Sequence, residues 1–159
     1  MTESRGLVIL IDDDADVRNS TAQLLRISGF DVMPFGAAAT ALKYVSASFE
    51  GVIVSDVRMP RIDGNELLSL VRAVDAEIPV IFITGHGDVR KAVAAVLNGA
   101  HDYLAKPFQP DHLTATAMRA AAAAMLQALS ARPAPAASTR RCRSAASRRA
   151  SGARGRCRV

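Results

Sequence analysis

The chain has 159 residues, half of them apolar, and a net charge of +5, which allows one domain of ordinary size with a substantial core and a short appendage. The charge is uneven, because residues 1–131 carry a net charge of −4 whereas residues 132–159 carry nine arginines and no acidic residue. No signal peptide is apparent and no apolar run approaches the roughly 18 residues of a membrane span, so we expect a soluble, cytoplasmic protein without a membrane partner.

Short apolar runs alternate with segments of helical period over the first 131 residues. This alternation is typical of βα units around a parallel sheet. Five runs are mostly continuous and rich in branched residues, as buried parallel strands are. They cover residues 7–11, 30–35, 52–55, 80–84 and, more weakly, 102–104.

The segments between these runs place small or apolar residues on one helical face. Two of them are marked by Val17, Thr21, Leu24, Leu25 and Ser28, and by Val89, Val93, Val96 and Leu97. Gly29 and the pair Asn98-Gly99 predict left-handed residues that end these two helices. Five βα units therefore fit into one α/β domain over residues 1–131.

Two further helices are predicted in the second half of this domain. Pro60 and Gly64 interrupt the chain after the third strand, and the third helix is expected over about residues 65–75. The last helix begins at about Asp111 and is rich in alanine, the residue with the highest helix propensity.

Polar side chains follow four of the predicted strands at their carboxyl ends. Strand one runs into Asp12, Asp13 and Asp14, strand three into Asp56, strand four into Thr84 and strand five into Lys106. Ligands bind at this edge of open α/β sheets, and in the strand order 2-1-3-4-5 these four strands are neighbours. The side chains are therefore expected to meet at one site.

Carboxylates from two strands repel one another unless a cation lies among them, and an all-oxygen ligand set suits Mg²⁺. Such an ion would also bind a phosphoryl oxygen, while the ammonium of Lys106 and the hydroxyl of Thr84 could stabilise the other oxygens. Asp56 would then be the nucleophile.

Each of these residues also has a structural interpretation. Aspartate after a strand often caps a helix, and we expect this of Asp14 and Asp16. For Asp12 and Asp13 the coincidence of four polar strand ends favours the site. Tyr103 either packs in the core or alternates between two environments beside Thr84.

Four motifs, VILIDDDADVR, VSDVRMPRIDG, VIFITGHGD and YLAKPF, resemble the receiver domain of bacterial two-component response regulators over about residues 5–125. The resemblance implies a flavodoxin-like (βα)5 fold, a doubly wound parallel sheet of strand order 2-1-3-4-5. The residue roles that it implies are a phosphoacceptor at Asp56, an acidic Mg²⁺ pocket at Asp12 and Asp13, a metal-binding backbone carbonyl at Arg58, a switch pair at Thr84 and Tyr103, and a phosphate-binding Lys106. It also implies a cis Lys106-Pro107 bond.

The motif wording is similar to receivers of the NtrC-like class, particularly regulators of dicarboxylate transport. Those proteins continue into an AAA+ ATPase and a DNA-binding helix-turn-helix. Neither region is found within the 159 residues, so direct transcriptional activation is not predicted from them.

The resemblance predicts a signalling module with Mg²⁺ as cofactor and a sensor histidine kinase as partner. Phosphorylation of Asp56 would change the surface of helix four, strand five and helix five, through which a homodimer could also form. The protein is not expected to be an enzyme beyond self-phosphorylation and autodephosphorylation.

A Mg²⁺-dependent aspartyl-phosphate phosphatase or phosphotransferase is the alternative, but it normally needs a second aspartate where Arg58 stands. A flavodoxin-like cofactor binder needs a phosphate loop where the three aspartates would repel the ligand.

Residues 132–159 are rich in Arg, Ala, Ser and Pro and cannot build a core, so we predict a disordered tail. One interpretation is truncated or out-of-frame sequence. The alternative is a basic arm that binds nucleic acid weakly, through arginine contacts to phosphates. Cys142 and Cys157 lie in this segment without the spacing of a disulfide framework or a zinc site.

Overall fold

Five parallel strands and five helices make up the described part of the chain, residues 3–85 and 89–130 of a computed structural model. The strands are β1 (Leu7–Ile11), β2 (Asp31–Phe35), β3 (Gly51–Asp56), β4 (Val80–Thr84) and β5 (Asp102–Ala105). The helices are α1 (Ala15–Ile27), α2 (Ala38–Leu42), α3 (Gly64–Val74), α4 (Val89–Leu97) and α5 (Pro110–Ser130). The sheet order is β2-β1-β3-β4-β5, which confirms the predicted flavodoxin-like topology.

The strands follow the apolar runs closely. Strands β1 and β4 have the predicted bounds, whereas β3 is longer and ends at Asp56, which pairs with Ile83 of β4. Strand β3 also begins earlier, at Gly51, where an added Cβ would lie 2.5 Å from the carbonyl oxygen of Leu7 and 2.8 Å from Cζ of Phe49. Only glycine therefore fits between β3 and its neighbour β1 at this point.

Both faces of the sheet are buried. Since successive residues of a strand point to opposite faces, each central strand contributes to two core clusters. One core cluster contains Ile9, Ile53 and Phe82 and continues into α2, α3 and α4 through residues such as Ala41, Leu67 and Ala95. The other contains Val8, Val54 and Ile81 and continues into α1 and α5 through Leu25, Leu113 and Ala117. Helices thus cover both faces, as in a doubly wound sheet.

The helix ends carry the signals read from the sequence. The Asp14 side chain accepts the backbone N–H groups of Asp16 and Val17 at the start of α1, which confirms Asp14 as a cap. Gly29 has φ +100° after α1 and Gly99 has φ +113° after α4, the left-handed conformation that glycine adopts without a steric cost. These glycines end the two helices as predicted.

Arg72, near the end of α3, joins three segments of the chain. Its Nη1 donates a hydrogen bond to the carbonyl oxygen of Ile78 (2.6 Å), just before β4, and its Nη2 donates to the carbonyl oxygen of Gly99, just after α4. A Cβ on Gly99 would lie 3.3 Å from Arg72 Nε. The C-terminal end of α4 is therefore tied to α3 and to the start of β4.

The apolar positions of α4 divide between core and surface. Ala95 is buried, whereas Val93 and Leu97 are exposed, Leu97 by 82%. Helical spacing identifies an apolar face but does not show how much of that face is covered. Within the described residues no helix has the length and apolar character to cross a membrane, and the predicted tail at 132–159 lies outside them.

Candidate functional site

Four of the polar side chains predicted to meet at the carboxyl end of the sheet lie together, those of Asp12, Asp13, Asp56 and Lys106. Asp12 directly follows β1, Asp56 ends β3 and Lys106 directly follows β5. Carboxylate oxygens of Asp12, Asp13 and Asp56 all lie within 4.8 Å of one another. Lys106 Nζ is 3.4 Å from Asp56 Oδ2 and 3.7 Å from Asp12 Oδ2.

The electrostatics of this cluster are unfavourable without a further cation. Asp12 is buried, and burial raises the pKa of its carboxyl above its ordinary value. Asp56 and Asp13 raise this pKa further, against the lowering effects of the Asp14 N–H and the Lys106 ammonium. Three carboxylates face one ammonium, and an oxygen-only ligand set of this kind fits a hard divalent cation such as Mg²⁺.

Asp12 lies in the loop after β1 and is held by three hydrogen bonds. Its N–H donates to the carbonyl oxygen of Phe35 (3.1 Å), and its Oδ1 accepts the N–H of Asp14 (3.0 Å). Its carbonyl oxygen accepts Nη1 of Arg18 (2.8 Å). Arg18 was not among the predicted site residues, because it lies inside α1 and only the path of the loop brings its side chain back to Asp12.

The loop after β3 folds back onto the Asp56 carboxylate. The N–H of Arg58 donates to Asp56 Oδ1 at 3.2 Å, so this oxygen is already held while Oδ2 faces Lys106. Arg61, further along the loop, has φ +71°, an uncommon conformation for a residue with a side chain. The predicted role of the Arg58 carbonyl as a metal ligand stays a prediction.

Thr84, the last residue of β4, has a fully buried side chain. Its Oγ1 has no hydrogen-bond partner among the residues that the structure describes. A buried hydroxyl without a partner is costly, and this one lies one residue beyond Ile83, which pairs with Asp56. Thr84 thus ends the strand next to the one that carries Asp56, with a hydroxyl that no described residue binds.

The last predicted site residues belong to β5 and the loop that follows. Tyr103 is partly buried and packs against the core on the side of α2, α3 and α4, opposite Phe82 in the register of the sheet. The N–H of Lys106 donates to the carbonyl oxygen of Thr84 (2.6 Å), and the Lys106-Pro107 peptide is cis, as the resemblance implied.

Comparisons with known proteins agree with this geometry. Residues 8–118 match the family described as response regulator receiver domain. The chain is 47% identical over 113 residues to the C4-dicarboxylate transport transcriptional regulatory protein DctD of Rhizobium meliloti, covering 71% of this chain and 25% of that protein. It is 46% identical over 112 residues to the transcriptional regulatory protein FixJ of Bradyrhizobium diazoefficiens, covering 70% of this chain and 55% of that protein.

Solved structures show the same fold. Full-length FixJ from B. japonicum superposes with a TM-score of 0.74 at 43% identity, covering 80% of this chain and 63% of that one. A response regulator receiver domain protein from Clostridium thermocellum gives a TM-score of 0.73 at 27% identity, covering 77% of this chain and 98% of that one. The chain therefore spans only a quarter to about half of the two regulators in sequence, but nearly all of an isolated receiver domain.

Proposed function

Since this chain belongs to the response regulator receiver domain family, we propose that it accepts a phosphoryl group on Asp56 from a phosphohistidine of a sensor histidine kinase. One observation carries the proposal. The Asp56 carboxylate lies at the end of a central strand, within 4.8 Å of two further carboxylates and 3.4 Å from the ammonium of Lys106. That combination provides a nucleophile, a place for a cation and a fixed positive charge.

In the proposed reaction a carboxylate oxygen of Asp56 attacks the phosphorus atom of the donor. The bond between phosphorus and the histidine nitrogen breaks, its electron pair stays on that nitrogen, and an acyl phosphate forms on Asp56. The Arg58 N–H bond to Oδ1 orients the carboxylate, since a carboxylate with one oxygen held has fewer unproductive orientations.

Asp12, Asp13 and Asp56 would hold a Mg²⁺ ion with the backbone carbonyl of Arg58. The ion supplies positive charge that offsets the repulsion between the carboxylates and the incoming phosphoryl oxygens. Lys106 offers a second positive charge, 3.4 Å from Asp56 Oδ2 and 3.7 Å from Asp12 Oδ2. Its ammonium can donate to a phosphoryl oxygen once the phosphoryl group lies between the two residues.

Thr84 is the residue that we expect to respond to the new group. Its buried hydroxyl has no partner among the described residues, so a phosphoryl oxygen at this edge would give it an acceptor. Tyr103, on the neighbouring strand, would then repack. The proposed output is a changed surface of α4, β5 and α5, where a second copy of the chain could also dock.

We infer a role in transcriptional regulation from relatives that are named as transcriptional regulatory proteins and are longer than this chain.

We propose that residues 1–131 form the receiver and act in the cytoplasm. Residues 132–159 would contribute at most weak, salt-sensitive contacts to nucleic acid. Arg58 stands where an aspartyl-phosphate phosphatase normally has a second aspartate, which disfavours that alternative.

The test is phosphorylation by acetyl phosphate, a small donor, followed by mass spectrometry of the intact chain. With Mg²⁺ the native chain should gain one phosphoryl group, and with a chelator it should gain none. Asp56→Asn should remove the label, whereas Asp31→Asn, which changes an exposed aspartate of β2, should leave it intact. Labelling of the Asp56→Asn variant at the native level would disprove the site assignment.

A further inference from the structure

We propose that Arg18 is a positioning residue that fixes the turn between Asp12 and Asp13 and thereby sets the affinity of the site for Mg²⁺. The inference rests on the proposed function, because it concerns the metal site of that function. Arg18 would act without touching a carboxylate that binds the ion. It holds the backbone that carries those carboxylates.

Among the three hydrogen bonds of Asp12, the one from Arg18 is the bond that fixes the peptide group between Asp12 and Asp13. Its Nη1 donates to the carbonyl oxygen of Asp12 at 2.8 Å, and that oxygen belongs to the peptide group between Asp12 and Asp13. The bond from Asp12 N–H to Phe35 fixes the preceding peptide, and the Asp14 N–H bond to Asp12 Oδ1 fixes the following one. Arg18 therefore orients the peptide from which the exposed Asp13 projects.

Arg18 is itself held in place by the start of α1 and by Gly36. Its own N–H donates to the carbonyl oxygen of Asp14 (2.9 Å) in the first turn of the helix. A Cβ on Gly36 would lie 3.1 Å from Arg18 Nη1 and 3.7 Å from its Cζ. The missing side chain at Gly36, directly after β2, thus leaves the space that the guanidinium occupies.

The sign of the effect separates positioning from simple electrostatics. Arg18 carries a positive charge next to an acidic site, so its charge alone opposes the binding of a cation. If Arg18 acted only through its charge, its removal would strengthen Mg²⁺ binding. If it orients the Asp12–Asp13 peptide, its removal weakens binding, because ligands that lose their supporting bonds must be ordered by the ion itself.

The experiment is a Mg²⁺ titration of the full chain, followed by the amide resonances of Asp13 and Asp14. The melting temperature without Mg²⁺ is measured alongside, so that binding and folding are scored separately. We expect Arg18→Ala to raise the Mg²⁺ dissociation constant by about tenfold, the lower end of the usual effect of a lost supporting bond. Arg26→Ala is the matched control, since Arg26 lies on the same helix and donates to a carbonyl of β2, that of Val32, and we expect it to leave the constant unchanged.

A second variant tests the same contact from the other side. Gly36→Ala should displace the guanidinium by a few tenths of an ångström and raise the dissociation constant by less than Arg18→Ala does. In the Arg18→Ala background it should add nothing, because its contact partner is gone. If Arg18→Ala does not fold, Gly36→Ala alone decides, since an unchanged dissociation constant in this variant would then overturn the inference.

The outcomes distinguish this inference from the proposed function. A native chain that binds no Mg²⁺ would disprove the metal site and this role of Arg18 with it. A native chain that binds Mg²⁺, with Arg18→Ala binding equally well or more tightly, would overturn the role of Arg18 alone. An equal effect of Gly36→Ala with and without Arg18 would also overturn it.

Discussion

Replacing Asp12 by asparagine should stabilise the metal-free chain. Asparagine keeps the size of the side chain and an oxygen that can accept the Asp14 N–H, but it removes a charge from the cluster. At an effective dielectric constant of about 20, each pair of like charges about 5 Å apart is destabilising by roughly 3 kcal/mol. The attraction between Asp12 and the closer Lys106 ammonium is stabilising by roughly 4 kcal/mol. Burial is the largest cause that disfavours the charged form of Asp12, and the two carboxylates add to it against one ammonium, so removal of the charge should be favourable. After allowance for solvent screening we expect a gain of about 1–2 kcal/mol.

Urea unfolding at neutral pH, with a chelator and then with saturating Mg²⁺, measures this gain. The native chain should gain stability from Mg²⁺ because the ion binds only the folded form. The Asp12→Asn variant should gain much less from Mg²⁺. The difference in the free energy of unfolding between the two chains should therefore shrink or change sign when Mg²⁺ is added. Asp31→Asn, at an exposed position, controls for the loss of one negative charge and should behave like the native chain under both conditions.

The pH dependence of the gain follows from the raised pKa of Asp12. The folded state binds the Asp12 proton more tightly than the unfolded state, so the stability of the metal-free native chain falls as the pH rises from the ordinary value of 3.8 through the raised folded pKa. The gain in stability from Asp12→Asn should therefore be small below pH 3.8 and grow as the pH rises above it. A variant that is less stable than the native chain in chelator at neutral pH would refute the reasoning.

Two further predictions concern stability in the absence of Mg²⁺ and are measured by the same urea unfolding. Thr84→Val should stabilise the unphosphorylated chain by about 1 kcal/mol, because it replaces a buried hydroxyl that has no partner among the described residues with a methyl group of similar size; a clear loss of stability would mean that the hydroxyl has a partner. Arg61→Gly should add about 0.5 kcal/mol, because relief of the left-handed backbone at φ +71° exceeds the entropic cost of glycine. Arg61→Ala, which retains the strain, should add nothing, and equal gains from both variants would contradict the backbone explanation.

The sequence predicted the central strands well because they are buried on both faces. Residues 7–11 and 80–83 contain no polar residue, so each appears as an uninterrupted apolar run. The edge strand β2 is harder to bound, since it contains Pro34 and exposed positions and begins one residue later than predicted. Helix α2 could not be given bounds, because five residues without a side-chain cap carry no periodic signal.

The candidate site was predictable to the extent that it depends on strand ends. The polar residues Asp56 and Thr84 end buried strands, and the topology alone brings such ends together. Contacts that depend on the path of a loop were not predictable. The bond from Arg18 to the Asp12 carbonyl depends on three-dimensional packing and has no pattern in the sequence. The same holds for Thr84 Oγ1, which has no partner among the described residues.

The contacts of Arg72 hold the C-terminal end of helix α4. The guanidinium joins the carbonyls of Ile78 and Gly99 and so pins the C-terminal end of the helix to the base of β4. A helix of nine residues is about 13 Å long, so a tilt of about 10° around the pinned end displaces the opposite end, at Val89, by about 2 Å. A tilt of α4 about Gly99 would therefore move the N-terminal end of the helix, which follows Thr84 in the chain, more than its C-terminal end.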